Sequence, residues 1–260
     1  MQHIPVNNQP EENRRNLLFI LRYDGSAFHG WQVQKNAITV QEVFQNAVAS
    51  VIGSCPDIKG CSRTDSGVHA NMFCISMHTE HKIPCERFKA AVNTYLPMEV
   101  VVTDVREVPL DFHARYSALG KRYVYKVLNT QVRDPFLRDR ALHYRRPIDA
   151  DKLNRAAKAY IGPHDFTSFC TLDKREKGDF VRTVSDFSVR REGDMVYFTV
   201  SADGFLYNMV RIMVGTLLSI SEGSLPADSI PAILQACDRS AAGPTAPACG
   251  LYLDEVFYDL

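Results

Sequence analysis

Hydrophobic residues recur along this chain with two different periods, and the places where the period changes mark its elements. Leu17 to Tyr23 is a compact apolar run closed by the turn pair Asp24-Gly25, which predicts a strand. From Val40 the spacing becomes helical, with Val40, Val43, Phe44, Ala47, Val48 and Val51 on one face. Thr39 reads as the N-cap with Glu42 as its capping-box partner, and Gly53 as the C-terminal cap. A short strand from Asp57 to Gly60 and an alternating one from Met72 to His78 follow. A helix from about Pro84 to Tyr95 and a strand from Val100 to Glu107 complete a βαββαβ order, the ferredoxin-like unit.

The order then repeats. Lys121 to Leu128 is a long strand with Lys121, Tyr123 and Tyr125 on one face. Leu142 to Arg145 predicts a short strand, and Asp149 to Ile161 a helix stopped at Gly162-Pro163. Val181 to Arg190 and Met195 to Ala202 read as a hairpin turning at Glu192-Gly193-Asp194. A helix from Tyr207 to Ser221, a short one from Ser229 to Cys237 and a closing strand from Leu251 to Tyr258 end the chain. The predicted fold class is α+β: two ferredoxin-like α/β lobes with mainly antiparallel sheets, set side by side with a central cleft at the joint. The expected division is a disordered lead-in over 1–15, an N-terminal lobe over 16–108 and a C-terminal lobe over 109–260.

Composition narrows the class. The 260 residues show no apolar run near the roughly 20 residues of a membrane span, and the polar first fifteen residues lack the apolar core of a signal peptide. These features point to the cytoplasm. Seven cysteines, an odd count without a C-x-x-C pair, argue against a disulfide framework and a zinc ribbon. Lysine plus arginine equal aspartate plus glutamate at 30 each, so any nucleic-acid partner must meet a local basic surface.

Candidate chemistry concentrates between Cys61 and Ala70 (CSRTDSGVHA). Arg63 and Asp65 are two apart, so on an extended backbone they share a face, where a guanidinium holds a carboxylate ionised. The plainer reading is a surface turn with a weak, exposed ion pair. Arg211 interrupts the apolar helical run MVRIMVGTLL; either its stem reaches the edge or its guanidinium meets a carboxylate in an interior cleft, with Asp65 the attractive partner. Arg138, Arg140, Arg145 and Arg146 are interleaved with His143 and Tyr144, a mixture suited to phosphate contacts and base stacking. The charged loop from Lys174 to Lys177 reads as solvated surface. The histidines show no metal-ligand spacing, and no phosphate loop, dinucleotide fingerprint or nucleophile elbow occurs.

Taken in order, the blocks Tyr23-Asp24-Gly25, Gly30-Trp31-Gln32, Arg63 to His69 (RTDSGVH), Phe112 to Ser117 (FHARYS), Lys121 to Tyr125 (KRYVY), Asp165 to Phe169 (DFTSF), Met209-Val210-Arg211 and Ala246-Pro247-Ala248 resemble those of the tRNA pseudouridine synthase A family. The resemblance implies isomerisation of uridine to pseudouridine in the anticodon arm of tRNA, typically at positions 38 to 40, by a homodimer without metal or organic cofactor. It places Asp65 on the catalytic aspartate, Tyr123 on the active-site tyrosine, and Arg63 and Arg211 on the active-site arginines. Substrate contacts are expected from Tyr123, His69, Arg138, Arg140, Arg145 and Arg146. One departure is Ser62, where the family usually has glycine. Asp65 would attack C1′ or C6 or take a proton from C2′, with Arg63 or Arg211 keeping it anionic, and Tyr123 would stack on the flipped base and help remove the C5 proton. A non-catalytic RNA-binding protein with paired sheets, and a different enzyme with an acid–base aspartate, such as a hydrolase, are the competing readings.

Overall fold

The apolar run near the N-terminus forms β1 (Arg15–Tyr23), in which Leu17, Leu18 and Phe19 are buried in succession, as in a strand covered on both faces. The structure is a computed structural model that describes residues 14–172 and 178–260. The lead-in expected over 1–15 therefore falls largely outside the described residues, as does the charged Lys174–Lys177 loop, while Arg15 already belongs to β1.

Helix α1 (Val40–Ile52) starts and stops where its caps predict. The Thr39 hydroxyl accepts from the Glu42 amide, and Gly53 takes the left-handed φ of 76° that a side chain resists. After β2 (Ile58–Gly60) and β3 (His69–Thr79) come α2 (Cys85–Tyr95) and β4 (Val100–Val108). Phe19 of β1 meets Phe44 of α1 and Phe88 of α2 edge-on, each at 5.4 Å between centroids. The strands lie in the order β4-β1-β3-β2, all antiparallel.

The second half comprises β5 (Gly120–Leu128), β6 (Leu142–His143), α3 (Ala150–Ala157), β7 (Gly162–Asp165), β8 (Val181–Glu192), β9 (Met195–Ala202), α4 (Met209–Glu222), α5 (Ile230–Ala236) and β10 (Leu251–Phe257). Its order β10-β5-β9-β8 repeats that of the first half. The helix expected to run to Ile161 ends as α3 at Ala157 and tightens into a 3-10 turn, and Gly162-Pro163, read as a stop, instead opens β7 on the edge of β8. The two sheets meet edge to edge. Parallel pairing of Tyr252 with His69 and Leu253 with Ala70 joins β10 to β3 and makes one ten-stranded sheet. The loop before β3 lies at that joint.

Candidate active site

The segment between β2 and β3 is an irregular loop, and its shape is imposed from outside. Gly25 and Gly30 press against it. A Cβ on Gly25 would lie 2.0 Å from the Val68 carbonyl oxygen; one on Gly30, whose φ is 84°, would lie 2.6 Å from that of Thr64. The Trp31 amide donates to the Thr64 carbonyl at 3.0 Å, and the Tyr23 hydroxyl pairs with that of Thr64 at 2.8 Å. Within the loop, Gly67 adopts a φ of 77° and the Val68 amide closes a turn on the Asp65 carbonyl at 3.1 Å. The result is a braced backbone that presents Asp65 toward α4.

Arg211 meets it there. Its Nη1 lies 3.1 Å from Asp65 Oδ2, while the same nitrogen donates to Asn208 Oδ1 at 2.8 Å and Nε to the Ala246 carbonyl at 2.7 Å. The side chains are 27% and 18% exposed, so the pair is largely withdrawn from water. Among the two options for a guanidinium in an apolar helix, the carboxylate is the one realised. Burial raises the Asp65 carboxyl above its ordinary value, and the nearby Arg211 charge opposes that without cancelling it. Asn208, which sequence reasoning passed over, holds the left-handed backbone at the start of α4 (φ 61°) that asparagine tolerates, and so aims its amide at Arg211.

A pocket of about 500 Å³ opens at this pair, lined also by Ser62, Arg63, Arg115, Lys121, Tyr123 and Phe205. Tyr123 is 6% exposed, edge-on to Phe205 at 5.0 Å, and its hydroxyl shares a hydrogen bond of 3.2 Å with Ser62, the residue standing where glycine was expected. Burial pushes its phenol well up, so the hydroxyl stays protonated at neutral pH.

Three expectations change. Arg63 is exposed on the pocket wall and forms no ion pair with Asp65 among the described residues; the carboxylate pairs with Arg211 instead. His69 is 1% exposed and does not line the pocket. It accepts from the Gly25 amide at Nδ1 (3.1 Å), which leaves Nε2 to donate to the Cys249 carbonyl (3.1 Å), and its ring stacks on Tyr252 at 4.5 Å. Burial lowers its pKa despite Asp24 nearby, so it is a neutral bolt across the β3–β10 joint. The four arginines lie outside the pocket, and three already have carboxylates: Arg138 with Asp139, Arg140 with Asp24, and Arg146 with Glu222. Among the described residues Arg145 has no such side-chain partner.

A braced aspartate facing an arginine from the other half of a doubled sheet, beside a buried tyrosine, defines a carboxylate-centred enzyme pocket. Comparison with known proteins gives it a family. The sequence profile described as "tRNA pseudouridine synthase" matches residues 20–117 and 156–259. The protein named tRNA pseudouridine synthase A from Acetivibrio thermocellus is 46% identical over 94% of this chain and 100% of its own length. Proteins of the same name from Thermoanaerobacter sp. and Clostridium acetobutylicum are 43% and 40% identical, again over 94% of this chain and 100% of theirs. A solved structure titled "Crystal Structure of a Cbf5-Nop10-Gar1 Complex" aligns with a TM-score of 0.33 at 13% identity, covering 91% of this chain and 57% of that one, too distant to carry an argument. The chain belongs to the tRNA pseudouridine synthase family, isomerases that convert uridine to pseudouridine in tRNA.

Proposed function

We propose that this protein isomerises uridines in the anticodon arm of tRNA, with Asp65 as the catalytic carboxylate. The observation that supports the reading best is the Asp65–Arg211 contact of 3.1 Å on the wall of a nucleotide-sized pocket. The reaction breaks the N1–C1′ bond, turns the base and forms a C1′–C5 bond, while the C5 hydrogen is lost and N1 gains one. A base inside a stem has to leave the stack first, and the Tyr123 ring offers it an aromatic surface. Ionised Asp65 then acts at C1′, at C6 or on the C2′ proton. Arg211 fixes the carboxylate's direction and favours its charge against desolvation. Tyr123, a neutral phenol, takes the stacking and hydrogen-bonding part, and a protonated hydroxyl is no resting base for the C5 proton.

The working unit in this reading is a cytoplasmic homodimer of chains divided into lobes over 16–108 and 109–260. Among the described residues no helix is long and apolar enough to cross a membrane. Incubation with unmodified tRNA followed by mapping of pseudouridine tests the reading. Product in the anticodon arm that disappears with Asp65→Ala supports it; product elsewhere, or activity surviving that change, refutes the site or the role. A non-catalytic RNA-binding protein would bind the tRNA and leave every uridine intact.

A further inference from the structure

The pocket holds more positive charge than its carboxylate needs. Its lining includes four cationic side chains, Arg63, Arg115, Lys121 and Arg211, and one carboxylate, Asp65. Arg211 is the one that Asp65 neutralises. Among the described residues Lys121, Arg115 and Arg63 have no ion pair, and the Lys121 ammonium makes no hydrogen bond. Yet the chain as a whole is neutral, so this local excess is a feature of the site.

Lys121 is the informative member. It sits at the start of β5 on the same face as Tyr123, between Ala202 of β9 and Val256 of β10 in the sheet. Desolvation lowers its pKa, which means that the folded protein holds this ammonium against a cost in stability. An unpaired, partly buried ammonium that lines a pocket is placed to take an anion. Arg115, exposed at the same pocket with its guanidinium 5.9 Å from the Tyr116 ring, supplies a second cation whose planar fork matches two oxygens of one phosphate.

We propose that Lys121 and Arg115 form a phosphate subsite that takes a backbone phosphodiester flanking the target nucleotide. The inference rests on the proposed RNA substrate and deepens it. A nucleotide whose base reaches Tyr123 and whose C1′ reaches Asp65 carries its own 5′ and 3′ phosphates to the same mouth. The subsite draws the ribose to one orientation and returns the ammonium to a fully paired state.

Equilibrium binding of an unmodified tRNA transcript across a salt series tests this without requiring turnover, so its failure is distinguishable from failure of the proposed reaction. Lys121→Met and Arg115→Ala should each lessen the slope of log affinity against log salt by about 0.9, and Lys121→Arg should keep it. Without RNA, Lys121→Met should melt no lower than the wild type, a result that a purely structural lysine would not give. Inorganic phosphate should compete with tRNA in the wild type and compete severalfold less well in Lys121→Met. An unchanged salt slope in a folded Lys121→Met overturns the proposal. Loss of phosphate competition with an unchanged tRNA slope identifies a free-anion site and overturns the RNA assignment. If Lys121→Met does not fold, the exposed Arg115→Ala decides alone by the same slope.

Discussion

Replacing Gly30 with alanine should damage turnover far more than its position, remote from the reacting groups, suggests. Two costs are separable. At a φ of 84° a side chain is forced into left-handed backbone, worth about 1–2 kcal/mol. The new Cβ also stands 2.6 Å from the Thr64 carbonyl oxygen, where ordinary contact begins at 3.4 Å, so the loop must retreat by about 0.8 Å. That retreat strains the Trp31–Thr64 hydrogen bond, worth about 1 kcal/mol, and carries Asp65 with it. The total is about 2–3 kcal/mol, or roughly 5–10 °C in melting temperature for a chain of this size. A displacement of order 1 Å at a reacting group costs about 100-fold in rate. Gly53→Ala is the matched control, because Gly53 has a φ of 76° and nothing within 4 Å of its Cβ position. It should lose the backbone term alone and keep full turnover. Single-turnover pseudouridine formation on unmodified tRNA, with thermal unfolding alongside, reads both quantities. If Gly30→Ala matches Gly53→Ala in rate and melting, the loop is not held in place by that contact.

Asp65→Asn should abolish isomerisation while leaving tRNA affinity within about tenfold, or ~1.4 kcal/mol, as measured by equilibrium binding. Its stability should depend on pH in a stated direction. The folded carboxyl lies above its unfolded value near 3.8, so its stabilising contribution is present below that value and is lost as pH rises through the folded pKa. The variant escapes that loss, and its melting advantage over wild type should open between acid and neutral pH; an advantage that closes instead contradicts the burial argument. Arg211→Lys should fold yet lose most turnover, since an ammonium cannot span Asp65, Asn208 and Ala246 from one plane, and Arg211→Met should cost more activity than stability. Of the arginines outside the pocket, Arg145→Ala should lower the salt slope of tRNA binding by about 0.9, more than Arg146→Ala, whose partner is already Glu222; equal effects would show that the local ion pair is open when RNA binds.

Much of the scaffold was legible because its signals are local. Thr39, Glu42 and Gly53 bracket α1 by their own hydrogen bonds and backbone angles, and the doubled element order survives as two four-stranded units of the same strand order within one sheet. The Arg211 contact was legible for a different reason, since ten of the fourteen residues in α4 are buried and a guanidinium there demands an anion. The Arg63–Asp65 pairing did not form because Arg211, 146 residues later in the chain, takes the carboxylate, a partner that spacing within the loop does not reveal. His69 looked like a site residue from its place in the motif, while its partners are the Cys249 carbonyl, 180 residues later in the chain, and Tyr252 of β10. The joint depends on contacts between distant segments, for which no local periodicity exists, while Asn208 was missed although Arg211 is only three residues away, because the hydrophobic pattern does not mark a left-handed residue.

The seam between β3 and β10 involves only two residue pairs, yet the carboxylate lies on one side of it and the guanidinium on the other. The proposed active centre is thus assembled across a short pairing of two strands. A disturbance that parts these two strands separates Asp65 from Arg211 before a single pairing within either four-stranded unit is lost. Circular dichroism would barely register the event, while turnover, with Asp65 and Arg211 in their proposed roles, should vanish. Catalysis in this molecule is a more sensitive gauge of that seam than any spectroscopic measure of its helices and strands.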